Sequence, residues 1–279
     1  MPDLDSLAAD RILVLDGAMG TMLINQGFSG SLDRLVLTHP EAVTRVHRAY
    51  LAAGSDIITT NTFTSTEYEI NLTAARLARS ACDEWANRTT DKPRFVAGAI
   101  GPMSRGDQYR EQVRGLLDGG CDVLLIETAT GSTTTLEALD AIDEVAPSHG
   151  RQPPVMISAA ISTRTGRLFS GETIDDFWRA VAGAQPWSIG FNCGTGASDL
   201  VPHVRALARF VTCLVSVHPS AGLPDATGHY GERPKDLAAV ISQLALGDLL
   251  NIVGGCCGTT PDHIAAVANA VAHMRPRSA

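Results

Sequence analysis

Short apolar runs alternate with longer amphipathic stretches along the chain, and this alternation constrains the fold more than any other feature of the sequence. Eight of these runs are typical of strands: residues 12–16, 56–60, 94–100, 122–127, 155–161, 188–192, 213–218 and 251–254. Helical periodicity is clearest between them, in residues 40–53, 68–87, 132–145, 174–182, 234–246 and 261–273. Repeated strand and helix units predict parallel strands that are connected by helices.

Eight such units in 279 residues match the number of units and the usual length of a (β/α)8 barrel. An open, doubly wound sheet is the alternative fold. It is disfavoured because residues 16–20 read Asp-Gly-Ala-Met-Gly and not the Gly-x-Gly-x-x-Gly that follows the first strand of dinucleotide-binding folds. No linker or low-complexity segment divides the chain. We therefore predict an α/β protein with one (β/α)8 TIM barrel domain over residues 1–279.

Composition argues against several classes of partner. Hydrophobic residues make up 44% of the chain and charged residues 19%, as in folded globular proteins. The formal net charge is −8 and there is no basic run, which argues against nucleic acid. No segment reaches the roughly 18 consecutive apolar residues of a membrane span, and the first residues are acidic and unlike a signal peptide. We predict a cytoplasmic protein without a nucleic-acid or membrane partner.

Three cysteines lie where predicted strands end. Cys193 follows the sixth strand, and the glycine-flanked pair Cys256-Cys257 follows the eighth. The carboxyl ends of barrel strands lie on one face, so the three thiols can meet there. A catalytic zinc ion usually has three protein ligands and keeps one position for water or substrate, whereas a structural zinc ion usually has four. The three cysteines therefore predict a catalytic zinc site.

Other interpretations of the cysteines stay open. Free cysteine often behaves as a small buried hydrophobic residue. This is our interpretation of Cys82, Cys121 and Cys213. A redox function of the adjacent pair is an alternative, although the Cys-x-x-Cys spacing of redox sites is absent.

Polar residues at other strand ends extend the predicted catalytic face. Asp16 and Glu127 directly follow apolar runs, which places their carboxylates at strand ends and not on helix surfaces. His218 ends the seventh strand. It is either a fourth metal ligand or, as we favour, a residue of the core or of the substrate site.

These motifs resemble the homocysteine S-methyltransferase family, and within it the N-terminal homocysteine-binding module of cobalamin-dependent methionine synthase most closely. The resemblance extends over nearly the whole chain. The Gly-Gly-Cys-Cys-Gly segment at residues 254–258 is highly specific to the family, and residues 16–20 and 60–63 are moderately specific. Residues 92–102, 125–128, 192–193 and 221–224 match as well.

The resemblance implies a zinc ion on Cys193, Cys256 and Cys257, with the homocysteine sulfur as fourth ligand during turnover. It implies that Asp16 and Glu127 bind the substrate ammonium group. The other predicted substrate-site residues are Thr60, Asn61, Phe63 and Asn192. Metal coordination removes the proton of a thiol whose ordinary pKa is about 8.5, so the bound sulfur is a thiolate that can attack a methyl group.

The resemblance also bears on the methyl donor. No motif corresponds to the folate, cobalamin and reactivation regions of full methionine synthase, and the loops at 20–35 and 102–109 are shorter than in its first module. We therefore expect methylcobalamin on a separate corrinoid protein as the donor in methionine formation. One alternative is direct use of S-methylmethionine or a betaine-type onium donor, which the aromatic content of 5% disfavours. An alternative of another class is a non-catalytic subunit that binds homocysteine or zinc.

Overall fold

Eight parallel strands form a nearly closed barrel in a computed structural model that describes residues 3–89, 92–103 and 105–278. The strands are β1 (Leu13–Val14), β2 (Ile57–Thr59), β3 (Phe95–Ile100), β4 (Val123–Ala129), β5 (Val155–Ala159), β6 (Ser188–Gly196), β7 (Leu214–Ser220) and β8 (Ile252–Val253). From β2 to β8 each strand pairs with the next one in sequence, and β8 also pairs with β1. The predicted α/β barrel is confirmed.

Eleven α-helices occur within the described ranges. They are α1 (Leu4–Asp10), α2 (Met19–Asn25), α3 (Leu35–Thr38), α4 (Pro40–Ala53), α5 (Tyr68–Ala86), α6 (Gly106–Asp118), α7 (Ser132–Val145), α8 (Ile174–Val181), α9 (Ala197–Leu207), α10 (Pro234–Leu246) and α11 (Pro261–Val271). None of these helices has the length and apolar character needed to cross a bilayer.

Local sequence explains where several helices begin and end. Helix α4 has Pro40 in its first turn and stops at Gly54, whose φ of 110° lies in the left-handed region that glycine tolerates. Helix α8 begins with a capping box, in which the side chains of Thr173 and Asp176 each bond to the other residue's backbone N–H. Such ends fix where each connection leaves its helix and returns to the barrel.

Two hydrophobic clusters form the core. The larger one lies between the strands and the surrounding helices. The smaller one contains alternate residues along several strands, among them Leu13 of β1, Leu15 directly after it, and Val123 and Leu125 of β4, and therefore fills the barrel interior. Helix α1 contributes Leu4 to this inner cluster, so it covers the amino-terminal end of the barrel. The polar strand ends lie at the opposite end.

Side chains close the seam between β1 and β2, where only one backbone bridge is present among the described residues. Asp56 is 1% exposed and accepts hydrogen bonds from the backbone N–H of Val14, at 2.9 Å, and from Arg11, at 2.6 Å. The buried guanidinium group of Arg94 adds a contact of 3.2 Å. Toward the carboxyl ends, Asp16 accepts a hydrogen bond from the backbone N–H of Thr59, at 2.8 Å. Two carboxylates thus join the first and second strands.

Candidate active site

A cavity of about 470 Å³ lies at the carboxyl ends of the strands. Eight of the nine predicted site residues line it: Asp16, Thr60, Asn61, Phe63, Glu127, Cys193, Cys256 and Cys257. The ninth, Asn192, is completely buried next to them. A cavity of this volume is typical of small-molecule sites. The fold therefore assembles the predicted residues from β1, β2, β4, β6 and β8 around one space.

The three cysteine thiols lie together at one side of the cavity. Cys193 Sγ is 3.7 Å from Cys257 Sγ, and Cys256 Sγ is 4.0 Å from Cys257 Sγ. All three sulfurs lie within 4.8 Å of one another. A zinc–sulfur bond length of about 2.3 Å and tetrahedral angles place ligand sulfurs about 3.8 Å apart. The triad therefore fits a single tetrahedral zinc ion. His218 also lines the cavity but does not belong to this cluster.

Irregular backbone brings the thiols to the same point. The pairing of β6 with β7 shifts register between Asn192 and Gly196, and Cys193 within this stretch has a left-handed φ of 55°. Such a conformation is uncommon outside glycine and is characteristic of functional sites. The Cys256-Cys257 pair is held against the end of β7, because Cys256 N–H donates to the carbonyl of Pro219 at 2.8 Å.

The thiols also influence one another electrostatically. Hydrogen bonds from Cys256 and Cys257 lower the pKa of Cys193 well below its ordinary value. The pKa of Cys256 is raised by the same interactions and by burial. The arrangement therefore favours a thiolate at Cys193, and thiolate is the form of cysteine that binds metal.

Two carboxylates, those of buried Asp16 and half-buried Glu127, form another part of the wall. Burial raises the pKa of Asp16 well above its ordinary value, and this effect outweighs the hydrogen bonds from Thr59. Burial and the nearby Cys193 thiolate raise the pKa of Glu127 to about 7. The charge of Glu127 adds to the rise at Asp16. A cationic group between the two carboxylates would favour their ionised forms, so this wall suits an ammonium group.

Asn192 connects the carboxylates with the thiols. Its Oδ1 accepts the backbone N–H of Thr128 at 2.8 Å, and its Nδ2 donates to Thr128 Oγ1 at 2.9 Å. The same Nδ2 lies 3.4 Å from Glu127 Oε2 and 3.7 Å from Cys256 Sγ. These contacts orient both halves of the wall. Direct contact of Asn192 with substrate stays a prediction.

The residues that follow β2 form the outer wall. Thr60 Oγ1 accepts the backbone N–H of Ala99 at 2.9 Å, and Asn61 Nδ2 donates to the carbonyl of Leu32 at 2.8 Å. These bonds hold the residues after β2 against strand β3 and against the loop after β1. Phe63 is 36% exposed and lies at the mouth. The substrate-binding roles predicted for these three residues stay predictions.

Two hydroxyl groups near the thiols had no role in the sequence analysis. Ser220 lies near Cys193 and Tyr230 lies near Cys257, and each acts to lower the pKa of the neighbouring thiol. Ser220 is the last residue of β7, and this position at a strand end is the sequence feature that could have identified it as a site residue. Tyr230 belongs to a long connection between β7 and α10, where no spacing links it to a cysteine.

A sequence model described as homocysteine S-methyltransferase matches residues 13–271. The chain belongs to this family. The family resemblance seen in the sequence is therefore confirmed, and family membership supports a methyltransferase that acts on homocysteine. The more specific likeness to the methionine synthase module stays a prediction.

Solved structures share the fold. The metallated form of the homocysteine methyltransferase MmuM from Escherichia coli has a TM-score of 0.78 and 22% identity, covering 95% of this chain and 98% of that chain. Its apo form has a TM-score of 0.75 and 23% identity, covering 95% and 97%. (S)-3-O-geranylgeranylglyceryl phosphate synthase from Thermoplasma acidophilum is also similar, with a TM-score of 0.54 and 11% identity over 96% of each chain. At these identities the likeness concerns the fold.

Proposed function

We propose that this protein is a zinc-dependent homocysteine S-methyltransferase that forms methionine. The observation that carries the proposal is the cluster of three cysteine sulfurs within 4.8 Å of one another, in a cavity that is also lined by the carboxylates of buried Asp16 and half-buried Glu127. Three thiolates leave one tetrahedral position for a substrate sulfur. Membership in the family supports homocysteine as the substrate. We also propose one domain over residues 1–279 and a cytoplasmic location, and all six cysteines are free of disulfides, as expected there.

In this proposal Cys193, Cys256 and Cys257 hold the zinc ion, which when bound lowers the pKa of the substrate thiol. Asp16 and Glu127 bind the substrate ammonium group and thereby direct the thiol toward the cysteines. Asn192 keeps the two groups of residues in register through its contacts with Glu127 and Cys256. Methyl transfer then requires the donor carbon to lie in line with the sulfur, so orientation within the cavity is a large part of catalysis.

The charge of the cavity supports a small cationic methyl donor, such as S-methylmethionine or a betaine. Three carboxylate residues line it, namely Asp16, Asp33 and Glu127, and the described lining contains no lysine or arginine. A cation in the cavity would favour the ionised forms of these carboxylates, which would in turn attract it. Attack by the thiolate releases such a donor as a neutral product. The carboxylates of the wall thus favour an onium donor, although the low aromatic content of the chain disfavours one.

Methylcobalamin on a separate corrinoid protein is the second candidate donor. Apolar side chains are exposed in segments that follow β1, β2 and β7: Ile24 of α2 is 58% exposed, Phe63 36% and Leu223 57%. Exposed apolar groups of this kind are typical of surfaces that bind another protein. A carrier docked there would present its methyl group at the mouth.

Methionine formation by the purified, metal-quantified protein tests the proposal. Homocysteine would be supplied in parallel with S-methylmethionine, betaine or free methylcobalamin. Turnover with an onium donor supports the cationic donor, and turnover with methylcobalamin alone supports a corrinoid carrier. One bound zinc ion without turnover by any donor would favour a non-catalytic subunit.

The zinc assignment has a separate test. We expect Cys256→Ala to lose its zinc, because two thiolates do not complete the site. Cys213→Ala is the matched control, since Cys213 is a half-buried free cysteine outside the cluster. Metal analysis after dialysis measures both variants. Full methyl transfer by zinc-free protein would contradict the assignment.

A further inference from the structure

Two segments that carry different parts of the candidate active site lie side by side. The Asp16 segment (residues 16–18) provides a carboxylate, and the cysteine loop (residues 255–259) provides two of the three clustered thiols. The backbone N–H of Gly255 donates to the carbonyl of Asp16 at 3.0 Å. The two segments are therefore joined directly at the point where each enters the cavity.

The side chain of Thr259 joins the two segments a second time. Its Oγ1 accepts the backbone N–H of Ala18 at 3.2 Å and donates to the carbonyl of Cys256 at 2.7 Å. Thr259 is completely buried, so water does not compete for these bonds. One hydroxyl group thus connects the backbone two residues after Asp16 with the backbone of a clustered cysteine.

Tyr50 of α4 supports this connection from the helix layer. Its hydroxyl oxygen lies 3.1 Å from the carbonyl oxygen of Ala18 and 3.1 Å from that of Thr259. A Cβ atom added at Gly17 would lie 2.6 Å from Thr259 Oγ1 and 2.9 Å from the Tyr50 hydroxyl oxygen. A Cβ atom added at Gly255 would lie 2.4 Å from the same Oγ1. The two segments are therefore packed too closely to shift against each other.

The spacing between the carboxylate and the thiols sets a length for the substrate. In the proposed function the acceptor's ammonium group lies at Asp16 and Glu127, and its sulfur lies at the three cysteines. Two methylene groups separate the sulfur of homocysteine from its α-carbon, whereas one separates them in cysteine. A site with two fixed ends binds both ends of only one of these molecules. One missing methylene group usually costs roughly 10- to 200-fold in discrimination.

Resting on the proposed function, we propose that Thr259 and Tyr50 set the length of amino-acid thiol that the site accepts, and thereby select homocysteine over cysteine. They are positioning residues, because neither lines the cavity and each acts through the backbone of the segments that it joins. Loss of either hydroxyl would let the Asp16 segment move relative to the cysteine loop. Homocysteine would then lose more affinity than cysteine, since only homocysteine is bound at both ends.

Equilibrium binding of the two thiols tests this proposal. Titration calorimetry would measure the dissociation constants of L-homocysteine and L-cysteine with protein that contains one zinc ion per chain. We expect the wild type to bind homocysteine roughly 10- to 200-fold more tightly. In Thr259→Val, which removes the hydroxyl and nearly keeps the shape, this ratio should fall roughly tenfold, as for a displacement smaller than about 1 Å. Tyr50→Phe should lower the ratio by a smaller factor, because the Thr259 hydroxyl remains.

Two further variants separate spacing from general stability. Thr259→Ser keeps the connecting hydroxyl and should restore most of the ratio. Thr135→Val is the matched control, because Thr135 is also a buried threonine whose hydroxyl donates to a backbone carbonyl, that of Gly131 at 2.9 Å. It belongs to α7 and lies outside the residues that line the cavity. Its ratio should equal that of the wild type.

Unchanged ratios in Thr259→Val and Tyr50→Phe would overturn the proposal. An equal fall in Thr135→Val would overturn it as well, since a general loss of stability would then explain the effect. Loss of zinc from both test variants would do the same, because the two residues would then retain the metal and not set the spacing.

The binding measurement also distinguishes this proposal from the proposed function. A wild-type protein that binds neither thiol would contradict the proposed function, and the selection by length with it. Tight binding of homocysteine by the wild type, with the same ratio in every variant, would overturn the selection by length alone.

Discussion

At the scale of single residues, Glu127 is the most informative test of substrate recognition. Glu127→Gln keeps the shape of the side chain and removes the negative charge. We expect the KM for homocysteine to rise roughly thirtyfold, because loss of a charged hydrogen bond costs about 2 kcal/mol. Steady-state kinetics would measure this. Glu41→Gln, an exposed change on α4, is the control. An unchanged KM in Glu127→Gln would exclude the proposed contact with the ammonium group.

The sequence predicted which residues gather in the cavity better than how they act. Asp16, Glu127 and the cysteines were identifiable because a barrel collects its strand ends on one face. The hub position of Asn192 was not, because its contacts with Thr128 and Cys256 depend on side-chain directions near residues of left-handed φ. Hydrogen bonds between residues that are far apart in the chain leave no repeating pattern in the sequence.

At the scale of elements, α4 carries a histidine in an unusual environment. His47 is completely buried, and neither ring nitrogen has a hydrogen-bond partner within the described part of the chain. Burial lowers its pKa from 6.5 to about 4. The unfolded chain therefore takes up this proton first as the pH falls, and folding stability is lost between about pH 6.5 and pH 4.

His47→Leu should remove this sensitivity. We expect the free energy of unfolding of the variant to exceed that of the wild type by about 2 kcal/mol more at pH 5 than at pH 8. Urea unfolding at both pH values measures the difference. His273→Leu, at an exposed position after α11, is the control and should follow the wild type. Parallel pH profiles of all three proteins would contradict the prediction.

Strands β6 and β7 pack so closely at Gly190 that a larger residue would clash there. Gly190 lies opposite Ser216, and a Cβ atom at residue 190 would be 1.7 Å from the Ser216 carbonyl oxygen. We expect Gly190→Ala to lower the free energy of unfolding by about 3 kcal/mol. Gly183→Ala is the control, because no atom lies within 4 Å of the added carbon there. Equal urea midpoints for the two variants would contradict this view of the pairing.

Periodicity predicted the elements well, with clear exceptions. Helices α4, α7 and α10 have the predicted bounds. Helix α9 was not among the clearest helical stretches of the sequence, and it contains Pro202, a residue that usually interrupts a helix. Strand β1 is shorter than the predicted run 12–16, because residues 15 and 16 join β2 through one bridge and a side chain. Tertiary contacts of that kind leave no pattern in the sequence.

At the scale of the whole molecule, residues that stabilise the barrel lie at its amino-terminal end, and the candidate active site lies at the carboxyl ends of the strands. Asp56 closes the seam at the amino-terminal end, where it pairs with Arg11 and the buried Arg94. We expect Asp56→Asn to lower the free energy of unfolding by about 3 kcal/mol, because it removes the charge that pairs with Arg11 and with the buried Arg94. The KM for homocysteine should stay unchanged. Thermal unfolding and kinetics of the purified variant measure both quantities.

Asp16→Asn is the informative counterpart at the other end of the same seam. It should impair both stability and homocysteine binding, since Asp16 bonds with Thr59 and faces the cavity. A variant that lost binding with no loss of stability would show that the seam does not depend on this carboxylate.

The two roles proposed for Asp16, in substrate binding and in the seam, would restrict how such an enzyme can evolve. A descendant that accepted a different amino-acid substrate would still need this carboxylate to hold β1 against β2. New specificity would therefore arise at Glu127 and in the loops after the first two strands, which line the cavity without joining those strands. In the proposed function, the architecture of the barrel itself thus preserves a preference for substrates with a cationic amino group.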